Sequence, residues 1–243
     1  MMNIWSMTDT GLVRKDNQDA YAVKTACGHT ICVVCDGMGG SAGGQLASRI
    51  AVETFTAEME KRLSPEAKPD RLREVSVVAV ALANRAVREA ARSSEEYHNM
   101  GTTLVSAVSF DGGVVIANVG DSRAYHINKE RIVQVTRDHS LVEHMVERGD
   151  ITAEEARRHP NRNLITRALG PDIDPGCDCY TCQLLPGDFL LLCTDGLVNT
   201  VTDQEIMDEV LRGDTETCMD RLLAISKSRG ASDNVTVVLA KKL

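Results

Sequence analysis

The sequence predicts an α+β fold, on three observations. Helix-period stretches gather early and late in the chain, while short runs rich in valine and isoleucine dominate its middle. Strands and helices therefore do not alternate as they do in a parallel βαβ sheet. Asp111-Gly112-Gly113 stands between two of the runs, a hairpin signal that makes their pairing antiparallel. No internal repeat, low-complexity tract or linker divides the 243 residues, so a single domain is expected.

In chain order, the first strand signal is "TICVVC" (30–35), followed by a helix whose face carries Leu46, Ile50 and Phe55. A second helix is predicted from Pro69 to Ser93, where Leu72, Val75, Ala79, Leu82, Ala86 and Ala90 recur at steps of three and four. Strands follow at "TTLVSAVSF" (102–110), "GVVIANVG" (113–120), "SRAYHI" (122–127) and "RIVQVT" (131–136). Residues 138–170 read as short helices, with capping boxes at Ser140/Glu143 and Thr152/Glu155. "DFLLLCT" (188–194) is another strand. Thr202 and Glu205 then cap a helix through Ile206 and Val210 that stops at Gly213. Cys218, Leu222 and Ile225 mark a last helix ending near Gly230, and "NVTVVLA" (234–240) is the final strand.

Composition excludes several classes. With 43% hydrophobic residues the chain has material for a sizeable core. No apolar run approaches the roughly 20 residues that span a bilayer, and "MMNIWSMTDTG" lacks the pattern of a signal peptide. A cytoplasmic protein without membrane contact is expected. The net charge of −8 argues against nucleic acid as a partner. It fits either simple solubility or a cluster of carboxylates awaiting cations. The eight cysteines then read as free thiols. Cys32 and Cys35 form a CxxC, and Cys177, Cys179 and Cys182 a CxCxxC, but both lie in extended stretches where residues three apart face opposite ways. Buried small hydrophobes are the expectation there, rather than a zinc site.

The acids that end strands are the main functional lead. "TICVVC" runs into Asp36-Gly37, "VVIANVG" into Asp121, and "FLLLCT" into Asp195-Gly196, while Asp233 opens the last strand. Asp-Gly is also ordinary turn chemistry, as at Asp111-Gly112. If the sheets bring the other four together, their like charges must protonate or draw in a cation. Oxygen-only donors select Mg²⁺ or Mn²⁺ over zinc. Two such ions sharing a carboxylate form a hydrolytic centre that activates water and steadies a phosphoryl group.

Eight motifs, in order, resemble the metal-dependent Ser/Thr protein phosphatases of type 2C in their compact bacterial form. They are "GLVRKDNQDA" (11–20), "VVCDGMGG" (33–40), "MGTTL" (100–104), "NVGDSRAY" (118–125), "RDHS" (137–140), "ITRALG" (165–170), "LLLCTDGL" (190–197) and "SDNVTVVL" (232–239). The resemblance implies a four-layer α-β-β-α sandwich, two antiparallel sheets face to face with helices outside. It also implies two core ions, Mn²⁺ or Mg²⁺, and a looser third. Asp36 would bridge the core pair and the Gly37 carbonyl would ligate one of them. Asp195 and Asp233 would complete the first ion, Asp19 would hold waters of the second, and Asp121 with Asp195 would take the third. Arg14 would grip the substrate phosphate, and Asn234 would support Asp233.

The implied reaction is direct attack of a metal-bridging water on phosphoserine or phosphothreonine, without a phosphoenzyme. No cysteine sits in the HCxxxxxR context of a thiol phosphatase. The implied partners are phosphorylated proteins, substrates of a Ser/Thr kinase and the kinase itself, met by a monomeric enzyme. A non-catalytic phosphoprotein-binding module and a phosphatase of small esters are the other readings. Two positions depart from some relatives: Met38 stands where they carry a histidine acid, and Gln18 where they carry a glutamate near the second ion. His139 reads first as a structural hydrogen-bonding group. Residues 141–165 correspond to a flap beside the site. From there and just beyond, Arg157, Arg158, Arg162 and Arg167 are candidates to meet an acidic phosphopeptide, Arg162 foremost.

Overall fold

A computed structural model describes the backbone of residues 1–243 and every side chain except that of Ser41. The chain opens with β1 (Met2–Asp9), β2 (Asp19–Ala26) and β3 (His29–Met38), then the long helices α1 (Ser41–Arg62) and α2 (Pro69–Ala91). After a 3₁₀ turn come β4 (Gly101–Thr102), β5 (Leu104–Phe110), β6 (Gly113–Val119), β7 (Arg123–Ile127) and β8 (Ile132–Gln134). Short helices α3 (Leu141–Glu147) and α4 (Ala153–Arg158) precede β9 (Asp178–Gln183) and β10 (Phe189–Cys193). The chain closes with α5 (Asp195–Val198), α6 (Asp203–Leu211), α7 (Cys218–Ser228) and β11 (Val235–Lys242). No described helix is long and apolar enough to cross a membrane.

The strands form two antiparallel sheets, ordered β1-β11-β10-β7-β8 and β2-β3-β5-β6-β9, with β4 attached to β3. Alternation along each central strand explains the four layers. On β3, Ile31, Val33 and Cys35 face α1 and α2, while Cys32 and Val34 enter the core between the sheets. On β10, Leu190 and Leu192 enter that shared core, and Phe189, Leu191 and Cys193 face α5, α6 and α7. Strands covered on both faces must be apolar at every position, which is why they stand out as continuous runs. Each fully buried aliphatic or aromatic side chain, such as Phe55 or Leu72, contributes about 1.5–3 kcal/mol of transfer free energy.

The predicted α+β class is observed, with two differences in the elements. The edge strands β1 and β2 carry no strand signal in sequence. Each has a neighbour on one side only, and half-buried and exposed residues interrupt it. The capping boxes at Thr152 and Thr202 are complete. At Ser140 only half of one forms: the hydroxyl accepts from the Glu143 amide, but the Glu143 carboxylate is taken by Arg137 Nε at 3.2 Å.

Strand register gathers the functional ends. Asp19, at the start of β2, pairs with Asp36 near the end of β3. Val34 pairs with Val105 near the start of β5, and Leu104 pairs with Val119 at the end of β6. In the other sheet Cys193, ending β10, pairs with Val237 near the start of β11.

Candidate metal centre and active site

One cavity of about 520 Å³ opens at this end of the sandwich, lined by Asp36, Asp121, Asp195 and Asp233 together with Arg14, Gly37 and Met38. Asp19 lies behind it. Its Oδ2 accepts from Thr194 Oγ1 at 2.9 Å and from Thr236 Oγ1 at 2.7 Å, so a carboxylate of one sheet is held by hydroxyls of the other. Asp36 is fixed through its backbone: its amide donates to Thr103 Oγ1 at 2.9 Å, and its carbonyl accepts from the Thr103 amide at 2.9 Å and from Thr102 Oγ1 at 2.8 Å. Asp195 begins α5, and Asn199 one turn later donates to its Oδ2 at 2.9 Å.

The acids repel one another. Burial, then the charges of Asp19 and Asp195, push the Asp36 carboxyl well above the ordinary carboxylate range. Burial and then Asp195 do the same to Asp121, and burial and then Asp233 raise Asp195. Burial raises Asp19 to about 7, against the pull of its two threonine hydrogen bonds. Asp19 Oδ1 and Asp195 Oδ1 are shut off from solvent without a hydrogen-bond partner. Buried carboxylate oxygens left in this state are costly, and a cation between them removes the cost. Among the described residues no three such side chains close on one point as a finished cage; the acids ring the cavity instead. The donor set is all oxygen, which fits a hard divalent ion completed by water and backbone carbonyl.

Two glycines set how closely the pieces approach. A Cβ on Gly37 would fall 2.1 Å from the Gly44 carbonyl oxygen and 2.6 Å from that of Gln18. A Cβ on Gly196 would fall 1.9 Å from the Asn234 carbonyl oxygen, so glycine is what lets Asp195 lie against the Asp233 turn. Asn234 organises the segment between β1 and β2. Its Oδ1 accepts from the Gln18 amide at 2.8 Å, and its Nδ2 donates to the carbonyls of Thr10 at 2.9 Å and Asp16 at 3.1 Å. The same segment carries Arg14, whose Nη2 donates to Asp233 Oδ2 at 2.8 Å. That hydrogen bond is the first cause of a raised Arg14 pKa.

Gln18 also lines the acid cavity. With its amide nitrogen toward the glycine turn it donates to the carbonyls of Gly37 at 3.1 Å and Gly40 at 3.2 Å. An ionised carboxylate has no proton to donate there.

Arg162 does not reach the acid cavity. With Arg157 it lines a separate cavity of about 490 Å³ between α3, α4 and the start of α6, while the neighbouring Asn163 and Ile165 line the acid cavity. Arg158 pairs with Glu154 at 3.4 Å and Arg167 with Asp178 at 3.1 Å. The base of the 141–165 segment is closed by the Ser140–Ile165 bridge. His139 is buried and away from the cavity lining: its Nδ1 accepts from the Gly120 amide at 3.1 Å and its Nε2 lies 3.1 Å from Asp178 Oδ2. This is the structural role read from the sequence. Cys32 and Cys35 face different cores, as the strand argument requires. Sequence reasoning assigned nothing to Thr194, Thr236, Thr103 or Asn199. Only Asn199 left a signal, its spacing of four from Asp195 on a helix.

Residues 13–239 match the family model described as Protein phosphatase 2C. The serine/threonine phosphatase stp of Listeria monocytogenes is 36% identical over 241 residues, covering 97% of this chain and 94% of that protein. The protein phosphatase PhpP of Streptococcus pneumoniae is 35% identical over 246 residues, covering 98% and 96%. Among solved structures, a serine/threonine phosphatase of S. agalactiae superposes with a TM-score of 0.94 at 30% identity, covering 100% of both chains. One from Staphylococcus aureus gives 0.94 at 37% identity, covering 100% of this chain and 96% of that one. Over nearly its whole length, and through the acid cavity its two sheets build, the chain belongs to the protein phosphatase 2C family.

Proposed function

We propose that this chain is a phosphoprotein phosphatase that hydrolyses phosphoserine and phosphothreonine, with Mn²⁺ or Mg²⁺ held by the acid cavity. The observation that carries the reading is the Asp19–Asp36 cross-strand pair, joined by Asp195 and Asp233 from the other sheet. Asp36, the Gly37 carbonyl, Asp195 and Asp233 would hold the core ions, with Asp19 behind them, and Asp121 with Asp195 would take a third. When bound, the ions supply a water deprotonated at neutral pH and positive charge toward the phosphoryl oxygens.

The chain's own groups do the rest. Arg14 offers a planar fork to the phosphoryl oxygens, and its half-exposed side chain reaches the cavity mouth. The Gly39-Gly40 turn lines the cavity with φ of 106° and 88°, a backbone that favours glycine, and a Cβ on Gly39 would fall 2.5 Å from the Asn99 carbonyl oxygen. Val13 and Ile165 give the mouth two apolar walls for the residue that bears the phosphate. Met38 cannot donate a proton to the leaving alkoxide, and no histidine or cysteine lines the cavity among the described residues. The acid for the leaving group is therefore not a histidine, and a water in the cavity would serve. The natural substrates are products of a Ser/Thr kinase, the phosphorylated kinase among them.

The test is hydrolysis of a phosphothreonine peptide and of a small aryl phosphate, each with EDTA, Mg²⁺ or Mn²⁺. Metal-dependent turnover that favours the peptide supports the reading. Binding without turnover in every metal makes the chain a phosphoprotein-binding module, and preference for the small ester makes it a general phosphatase.

A further inference from the structure

Cys177 and Cys179 are separated by one residue, and their Sγ atoms lie 4.0 Å apart. Both are partly exposed, while Cys32, Cys35, Cys193 and Cys218 are buried. Arg73 of α2 lies along the same strand, donating to Thr181 Oγ1 at 3.1 Å and to the Cys179 carbonyl at 3.5 Å. The contact with Cys177, and then the Arg73 charge, hold the Cys179 thiol below its usual range; Cys177 is pushed up by the same contact and by burial. One sulfur of the pair is thus disposed to be the thiolate and the other to keep the proton.

The residue between them points to the other face of the strand. Asp178 Oδ2 meets His139 Nε2 at 3.1 Å, and Asp178 Oδ1 accepts from Arg167 Nη1 at 3.1 Å. His139 in turn accepts the Gly120 amide on Nδ1, and Gly120, with φ of 104°, leads directly into Asp121. β9 is an edge strand bound only to β6, with Asp178 opposite Asn118. It can shift locally without breaking a second ladder.

The geometry points to Cys177 and Cys179 as an oxidisable dithiol, closed to a disulfide by hydroperoxides, whose closure displaces Asp178 from the contacts that seat Asp121. In the first step the Cys179 thiolate attacks the peroxide; a sulfur–oxygen bond forms, the oxygen–oxygen bond breaks, and the alcohol or water leaves with a solvent proton. Cys177 sulfur then attacks Cys179 sulfur; the sulfur–sulfur bond forms, the sulfur–oxygen bond breaks, and hydroxide leaves as water with the Cys177 proton. The thiols lose two electrons and the peroxide gains them. At strand rise, two residues span about 6.6 Å, near the upper limit of the Cα separation a disulfide accepts. Closure therefore pulls on the backbone around Asp178, and the strained bond is readily reduced again.

The test treats metal-free protein with hydrogen peroxide, removes the peroxide with catalase, and maps the peptides by mass. The peptide holding residues 177 and 179 is expected to lose two hydrogen atoms and regain them with dithiothreitol. In the oxidised protein the Gly120 amide should exchange with solvent faster, since the ring of its acceptor His139 has lost the Asp178 contact. With Mn²⁺ added, turnover of a phosphothreonine peptide should fall roughly tenfold, as for loss of an outer contact to a metal site, and recover on reduction. A Cys177→Ser/Cys179→Ser variant should keep its turnover at the same dose. The inference is overturned if both thiols stay reduced, if the disulfide forms with Gly120 exchange unchanged, or if the double variant is inactivated alongside the wild type. The turnover measurement rests on the phosphatase reading; peptide mass and Gly120 exchange do not, so failure of one is distinguishable from failure of the other.

Discussion

Asp19 and Asp36 face each other directly across the β2–β3 ladder. Like charges at opposed positions weaken a sheet, and here two more acids, Asp195 and Asp233, arrive from the second sheet. Asp19 also ties the sheets together through Thr194 and Thr236. The fold therefore gives up stability to hold carboxylates where a proton or a cation must relieve them, and that trade suits a metal-dependent hydrolase.

Asp36→Asn tests this trade from both sides. Turnover should fall on the order of 10³-fold, as when a main electrostatic contact to the reacting group is lost. In EDTA the same variant should be more stable than wild type by about 1 kcal/mol, because a repulsive partner of Asp19 is gone. For a chain of this size that corresponds to a rise of about 2–4 °C in melting temperature. Adding Mn²⁺ should then raise the melting temperature of wild type well above that of the variant. Equal Mn²⁺ responses would remove Asp36 from the metal site.

Much of this was legible in the sequence, and the exceptions share a cause. Central strands such as β3 and β10 are covered on both faces, so an unbroken apolar run announces them and the acid at each end. The edge strand β2 has no such run, yet it carries Asp19, whose place only the motif revealed. The partners Thr194 and Thr236 lie far from Asp19 in sequence, and nothing local to a threonine says it will reach across two sheets. The place of Arg162 was hidden for a related reason: a charged loop residue announces exposure, but the two cavities on either side of its segment exist only in the folded chain.

Arg14→Ala should lower kcat/KM roughly a hundredfold while leaving stability almost unchanged. The Arg14–Asp233 pair is partly exposed, and such pairs contribute about 0–1 kcal/mol. Arg14→Lys keeps the charge but loses the two-pronged fork, so it should recover only part of the activity. Full recovery by lysine would show that charge alone matters at this position. The comparison uses steady-state kinetics on one phosphothreonine peptide, with urea unfolding as the stability control.

His139 should set a pH dependence of stability. Its Nδ1 accepts the Gly120 amide, so protonation there costs a hydrogen bond, and burial lowers its pKa below the ordinary 6.5. A depressed pKa means that the unfolded chain takes up the proton first. Stability is then fully present above pH 6.5 and is lost as pH falls through the folded value. Asp178, although partly buried, is held below the ordinary carboxylate range by its hydrogen bond from His139, so it titrates beneath this window. His139→Gln can donate to Asp178 and accept from Gly120 without titrating. Between pH 7 and 5 the wild type should lose stability relative to this variant in denaturant unfolding; parallel profiles would show that His139 is not the titrating group.

Gly196→Ala addresses the closest approach in the site. The added Cβ meets the Asn234 carbonyl oxygen at 1.9 Å, and since that atom is backbone, α5 and the turn before β11 must move apart. Overpacking of this kind costs about 1–3 kcal/mol. The displacement separates Asp195 from Asp233 and loosens Asn234, which anchors the segment bearing Arg14. Stability, the Mn²⁺-induced rise in melting temperature and turnover should therefore fall together, although no charged or catalytic group has been removed. If Gly196→Ala unfolds like wild type and still responds fully to Mn²⁺, the two acids do not depend on this contact, and the glycine after Asp195 serves the turn alone.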